Sequence, residues 1–272
     1  LSEETSLNIE DSFVTNYKQS KASGFKKEKA YILHLDKLPK GEFGVMHGFM
    51  PVSQLKEVSH RYGVSINEYF VACYMWSIYS ECLHGMPSES PIRVAVPVNL
   101  RPYFDSVTTK NFFVMVSAEF LPDKAGYTFD EIVAIVKESL GSQITKQNLE
   151  NLFSYSVSNQ MNILMRPIPL PIKNMAISAV YTKSALANTT TITNIGNISV
   201  DDAYRPYIEM FHAFIAMSKG QSLKGTICSY GDTLAFTFTS IFSETMVQRA
   251  FFRQITKDGV DVSLETNGVY YE

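Results

Sequence analysis

The sequence predicts an α/β (α+β) domain, a mixed β-sheet with helices packed on it. Three observations lead there. Ile92–Leu100 and Thr189–Ile198 are apolar or β-branched runs of strand length bounded by polar residues, the pattern of buried strands. Ser65-Ile66-Asn67-Glu68 and Thr128-Phe129-Asp130-Glu131 are capping boxes that open helices between them. Gly231-Asp232 stands between Gly225–Tyr230 and Thr233–Phe242 as a hairpin turn. Strands and helices are interspersed with hairpins toward the end, which predicts one cooperative layered domain.

Residues 1–25 are polar, with Phe13, Tyr17 and Phe25 as scattered anchors, and read as a connecting arm with a short helical turn. Ala30–Leu35 reads as a strand and Gly41–Met50 as a second extended segment. Ser53 is placed to cap a helix that runs to Tyr62 and stops at Gly63. The helix behind Ser65 is apolar on nearly all sides through about Leu83, so it belongs inside the domain. Asn111–Leu121 is a Phe- and Val-rich strand. Ile132, Ile135, Val136 and Leu140 fall at helical spacing behind Thr128, and a further helix spans about Asn148–Leu164.

The run Arg166-Pro167-Ile168-Pro169-Leu170-Pro171 breaks the chain, because proline lacks an amide donor and fixes φ. From there the pattern is mostly strand, Tyr207–Met217 included. In Thr233–Thr239 the apolar Leu234, Phe236 and Phe238 alternate with Thr233, Ala235, Thr237 and Thr239, which predicts one dry face and one wet face. Ser243 is placed to cap a helix through Lys257, ended by Asp258-Gly259, and Val260–Leu264 reads as a closing strand.

Composition excludes several classes. A net charge of −3 with mixed signs offers no basic stripe for nucleic acid. The longest apolar run, Tyr69–Tyr79, falls far short of a membrane span. Cys73, Cys82 and Cys228 lack paired or metal-ligand spacing and read as buried free thiols, which suits a reducing cytoplasm. The polar N-terminus has no signal peptide and no initiator methionine, and reads as that of a processed chain or one cut from something longer.

The search for catalytic groups is mostly negative. The histidines are His34, His47, His60, His84 and His212; none are adjacent, and none has an aspartate four residues on. Ser53-Gln54-Leu55-Lys56 matches Ser-x-x-Lys but lacks its companion motifs, and there is no Gly-x-Ser-x-Gly elbow or phosphate loop. Asp201-Asp202 reads as a solvated turn, and no metal site is expected. Arg101 follows an apolar run, so its stem is expected to be buried and its guanidinium to need an acid, with Asp105 the one nearby; a local or surface pair is the alternative. Asn194 and Gly196 suggest a tight turn in which the Asn side chain binds backbone.

Val94-Ala95-Val96-Pro97-Val98-Asn99-Leu100-Arg101-Pro102, then Asn111-Phe112-Phe113, then Thr193-Asn194-Ile195-Gly196, then Tyr230-Gly231-Asp232-Thr233-Leu234-Ala235-Phe236 occur in that order. The series resembles the C-terminal half of the chloramphenicol-acetyltransferase-like fold, in the branch of alcohol acetyltransferases and condensation domains, from about residue 26 to 272. The resemblance implies a C-terminal lobe of a two-lobed protein, with 1–25 as the arm. It implies transfer of an acyl group, as in an acetyltransferase, from an acyl-CoA or acyl carrier protein thioester to an alcohol or amine. No cofactor is held permanently; acyl-CoA is a co-substrate. The family's base lies in a His-His-x-x-x-Asp-Gly motif on the first lobe, absent from these residues, so the parent is expected to be an enzyme and the isolated chain inactive. By the same resemblance Arg101 is a structural anchor that meets the motif's Asp, and Asn111, Asn194 and Gly196 border the channel.

A non-catalytic binding or scaffolding module of condensation-domain type is the alternative, and a small-molecule-binding protein of unrelated fold is a third reading. The expected partners are the missing N-terminal lobe, the acyl donor and a small acceptor. A homodimer is a further possibility, through a face presenting Phe112, Phe113, Phe236 and Phe238.

Overall fold

The computed structural model describes residues 8–18, 28–161 and 169–271. Its frame is one seven-stranded mixed sheet, as the sequence predicts. In chain order the strands are β1 (Gly44–Pro51), β2 (Ile92–Asn99), β3 (Phe113–Phe120), β4 (Thr190–Asn197), β5 (Leu223–Tyr230), β6 (Thr233–Ser240) and β7 (Ser263–Thr266). They lie side by side in the order β3-β2-β4-β5-β6-β1-β7. β4 runs parallel to both β2 and β5, and the remaining pairs are antiparallel. The Gly231-Asp232 hairpin joins β5 to β6 as expected, with Gly231 at φ +60° in the turn.

The helices are α1 (Ser12–Thr15), α2 (Val52–Arg61), α3 (Ile66–Cys82), α4 (Arg101–Phe104), α5 (Phe129–Gln143), α6 (Lys146–Met161), α7 (Leu170–Ala185) and α8 (Met246–Lys257). Both capping boxes form: Ser65 Oγ accepts from the Glu68 amide while Glu68 reaches back to the Ser65 amide, and Thr128 and Glu131 do the same. The helix they open first, α3, is apolar all round and is buried from Tyr69 to Tyr79 except at Trp76. It packs with α8 on one sheet face, where Phe70, Phe236, Phe238 and Phe251 stack at centroid distances of 4.4–5.9 Å. Tyr74 threads this layer, donating its hydroxyl to the Leu223 carbonyl (3.1 Å). Replacing Ser65 with Ala removes the cap of this helix and should cost about 1 kcal/mol, read as a lowered urea midpoint with an unchanged slope.

The edges are protected. β7 is four residues long. On the other edge, α5 lies along β3: Gln143 accepts from the Ser117 amide and donates to the Ser117 carbonyl, and Ser139 accepts from the Glu119 amide. Side chains thereby occupy ladder groups that an added strand would use.

Several local expectations are overturned, each by a long-range contact. Ser53 does not cap α2. The hairpin residue Asp232 caps it from a distance, accepting from the Ser53 amide (2.9 Å) and hydroxyl (2.9 Å), and its carbonyl takes the Val52 amide (2.8 Å). Ser243 does not cap α8, which starts behind Thr245; Ser243 binds the Asp36 carbonyl instead. Ala30–Leu35 is extended but joins no sheet: Ala30 and Tyr31 donate singly to Leu186 and Pro91. The closing strand begins at Ser263, and Val260 is core.

The prolines do not hand over to strand. Residues 162–168, including the start of the proline run and the end of the helix expected to Leu164, lie outside the described residues, as do much of the 1–25 arm and Lys26-Lys27. Past them Pro169 and Pro171 open α7, because proline is tolerated in a first helical turn whose amides have no intrahelical acceptor. This helix carries exposed Leu170, Ile172, Met175 and Ile177.

The expected wet face of β6 is dry. Ala235, Thr237 and Thr239 are buried, beneath the connection from β4 to β5, residues 198–222. Within it Tyr207–Met217 is not a strand of the sheet. After a 3-10 turn at Arg205–Tyr207 it runs as a strap across the second sheet face, held by side chains. The Thr239 hydroxyl donates to the Ile215 carbonyl (2.6 Å) and the Cys228 thiol to the Phe211 carbonyl (3.2 Å).

Candidate functional site

The family-implied residues stand on one rim of the sheet. β2 and β4 are parallel neighbours that pair only at Val94↔Thr190 and Ala95↔Thr191. Beyond those rungs β2 continues against β3 and β4 against β5, so the carboxyl ends of the two strands part. A crevice outside the carboxyl ends of parallel strands is a general place for a ligand. Arg101 follows the end of β2, Asn194 and Gly196 lie in the last turn of β4, and Asn111 precedes β3, whose first residue Phe113 faces Asn99 at the end of β2.

Arg101 is half-buried, and its partners are not acids. Its Nε donates to the Thr108 carbonyl (2.8 Å), Nη2 to the Lys110 carbonyl (2.6 Å) and Nη1 to Asn99 Oδ1 (3.2 Å). Among the described residues no carboxylate pairs with it. Asp105, the acid the sequence offered, takes a left-handed conformation (φ +49°) at the end of α4. The guanidinium thus ties the 105–110 loop to the end of β2, and that loop delivers the exposed Asn111 to the rim.

Asn194 makes the turn predicted for it: its Oδ1 accepts from the Gly196 amide at 2.8 Å. Gly196 has φ +87°, where a side chain would be strained. The pairing with β5 shifts between Asn194 and Gly196, which leaves Ile195 bulged and exposed. Pairing resumes at Gly196↔Cys228 and Asn197↔Ser229, where the strand ends.

A cavity of about 870 Å³ opens toward the other end of β2. Its lining includes Arg93, Met115, Ser117, Asn188, Thr191 and Gln221. Arg93, not Arg101, is the buried arginine, at 1% exposure. It donates to Glu119, to the Glu28 carboxylate (3.2 Å) and carbonyl (2.9 Å), and to the Ala187 carbonyl (3.4 Å). The sequence did hold a sign of it, a lone charge in the second position of an apolar strand.

No acid–base constellation of the family type forms from these residues. His47 is buried with Nδ1 2.8 Å from Thr237 Oγ1, beside His212; His34, His60 and His84 stand elsewhere along the chain. Burial pushes the Cys82 thiol up to about 12 and raises Cys73 and Cys228, so none is a ready thiolate. Among the described residues no cluster could hold a metal, and Asp201-Asp202 is a turn in which Asp202 pairs with Arg205 (3.0 Å). No helix among the described residues is long and apolar enough to cross a membrane.

No family model matches the chain, and no curated protein matches it. Solved structures do. A nonribosomal peptide synthetase in an α-methyl-L-serine-AMP-bound form aligns over 85% of this chain and 24% of its own, at 15% identity and a TM-score of 0.55. The cyclization-docking bidomain of a nonribosomal peptide synthetase from Sorangium cellulosum aligns over 85% and 44%, at 12% identity and a TM-score of 0.51. The wax ester synthase/diacylglycerol acyltransferase of Marinobacter aquaeolei VT8 aligns over 85% and 52%, at 13% identity and a TM-score of 0.50. The chain therefore spans between a quarter and about half of these neighbours' lengths. It shares the fold of these structures, the chloramphenicol-acetyltransferase-like fold that the ordered motifs implied.

Proposed function

We propose that this chain is the C-terminal lobe of an acyltransferase that moves an acyl group from a coenzyme A or carrier-protein thioester to an alcohol or amine. The observation that carries the reading is the rim: Arg101, Asn111 and the Asn194–Gly196 turn, drawn from three separate stretches, lie at the end of the sheet where β2 and β4 part. The fold supports the reaction class, since one neighbour is named as an acyltransferase and others belong to peptide synthetases. A companion lobe supplies the His base, and the rim forms one wall of a channel between the lobes. A base there deprotonates the acceptor, the thioester carbonyl passes through a tetrahedral oxyanion, and donors at the rim stabilise that charge. Arg101, whose hydrogen-bond partners are the Thr108 and Lys110 carbonyls and the Asn99 side chain, is the residue we assign to an acid of the companion lobe. The exposed apolar side chains of α7 give such a partner a surface to cover. We place the protein in the cytoplasm, where acyl-CoA is at hand and thiols stay reduced.

The second reading, a non-catalytic module that grips a carrier protein or scaffolds an assembly, draws on the absence of a base in this chain. One experiment separates the two. The 272-residue chain, assayed with acetyl-CoA against a panel of alcohols and amines, is expected to release thiol at the background rate; turnover that survives purification removes the half-enzyme reading. A polypeptide carrying this chain behind a lobe with His-His-x-x-x-Asp-Gly is expected to turn over, and to lose about 10²–10⁴-fold when the base is replaced. If the lobe preceding this chain lacks that motif and the whole stays inactive, the module reading holds.

A further inference from the structure

We propose that the strap over the second sheet face is an acid-releasable cover, closed at neutral pH by the contact of His47 with His212 and Phe214 and opened when His47 takes up a proton. The strap is held unusually for an extended segment. It bridges to no strand before Ser218↔Gln221, and the bonds that hold it down come from Cys228 and Thr239 beneath. At its centre the His212 ring lies edge-on to His47 at 4.6 Å, with Phe214 at 5.4 Å from the same imidazole. His47 is 9% exposed and His212 is exposed, so one of the pair is sealed only while the strap is down.

The groups facing His47 are few. Thr237 on β6 binds its Nδ1 at 2.8 Å, His212 and Phe214 come from the strap, and Glu265 on β7 lies opposite it in register. Burial, and then His212, hold His47 below its ordinary value of 6.5, while Glu265 pulls the other way. The sign follows. With the strap lifted His47 returns toward its ordinary value, so the open state binds more protons below that pH. Closure is fully favoured above about pH 7 and is lost as the pH falls through His47's depressed value. Lifting the strap uncovers a polar layer that includes Thr226, whose hydroxyl has no partner, as well as Thr237 and Thr239. Opening would therefore expose a hydrogen-bonding surface, not an apolar one.

Cys228 is a built-in reporter. It lies under the strap at 1% exposure, and Cys73 inside α3 reports opening of the whole core. The chain is treated briefly with a dipyridyl disulfide at about pH 5.5 and about pH 7.5, and modification of each thiol is read by peptide mass. Each rate is divided by that of a free cysteine peptide at the same pH. The protection of Cys228 should fall at the lower pH by up to about tenfold, the ratio of charged to neutral forms of an ordinary imidazole one unit below its value of 6.5, while that of Cys73 holds. His47→Gln, which cannot take up the charge, should flatten the change, and His212→Gln, which removes the ring packed against His47, should weaken it. His212 is exposed, so its variant leaves the core packing intact. Equal protection at both pH values, an unchanged pH response in both variants, or loss of Cys73 protection together with Cys228 would each overturn the proposal.

Discussion

Arg93→Met is expected to destabilise the domain by about 3–5 kcal/mol, the range for breaking a buried ion pair by removing one partner, whereas Arg101→Met should cost about 1–2 kcal/mol, the scale of hydrogen bonds to a charged group. The two arginines belong to the same strand and its end, and the difference lies in what each holds. Arg93 is sealed between β3, the segment leading into β4 and the chain at Glu28. Its removal takes a charged donor away from Glu119, which is one-third exposed, and from the Glu28 and Ala187 carbonyls. Methionine fills much of the space but satisfies none of them. Arg93→Lys should recover only part of the loss, because a single ammonium cannot reach all three directions served by the guanidinium fork. Arg101 binds carbonyls of one local loop and is half-exposed, so water replaces it at low cost. Urea unfolding of the three variants checks this; equal losses for Arg93→Met and Arg101→Met would contradict the assignment of Arg93 as the structural arginine. On the proposed acyltransferase reading, the order should reverse for activity of a two-lobed polypeptide, with Arg101→Met lowering turnover more than its effect on stability explains.

Phe236→Ala should cost about 3–5 kcal/mol, the range for removing a fully buried aromatic ring. Phe236 is completely buried, and its ring stands 4.4 Å from Phe251, 4.8 Å from Phe238 and 5.2 Å from Phe70. These are α8, its own strand and α3, so one deletion opens a void where three elements meet. Collapse into it is hindered from below, where a side chain at Gly225 would already sit 2.7 Å from the Phe236 ring. The layer is filled to the backbone. Phe113→Ala, by contrast, removes a ring that is 45% exposed and should change stability by less than about 1 kcal/mol. A loss under 2 kcal/mol for Phe236→Ala in thermal or urea unfolding would mean that the layer relaxes and does not set the packing of α3 and α8. The contrast also corrects the expectation of an aromatic dimer face: Phe112, Phe236 and Phe238 are interior, and only Phe113 of those four faces out.

The residues alone determined what depends on neighbours in the chain. Ser65 with Glu68 and Thr128 with Glu131 are self-contained caps, so two helix starts were legible to the residue. So were the β5–β6 hairpin at Gly231-Asp232 and the Asn194–Gly196 turn, because each closes its own hydrogen bonds within a few positions, while the buried β2 was legible from its apolar run although its partners are distant. The order of the four motifs along the chain led to the fold. Tertiary structure decided everything whose partner is distant. Asp232, 179 residues from Ser53, caps α2 and displaces the local candidate. A strap from elsewhere covers the threonines of β6, which by alternation alone belong in water. Pro171 starts a helix instead of ending structure, because it falls in a first turn, where no backbone donor is missed. Arg93 and Arg101 could not be ranked by sequence, since burial of a guanidinium depends on which carbonyls and carboxylates the sheet brings to it, and those come from Glu28, Glu119 and Ala187. The rim itself exists only because parallel β2 and β4 part after two rungs, a separation that no stretch of the chain encodes by itself.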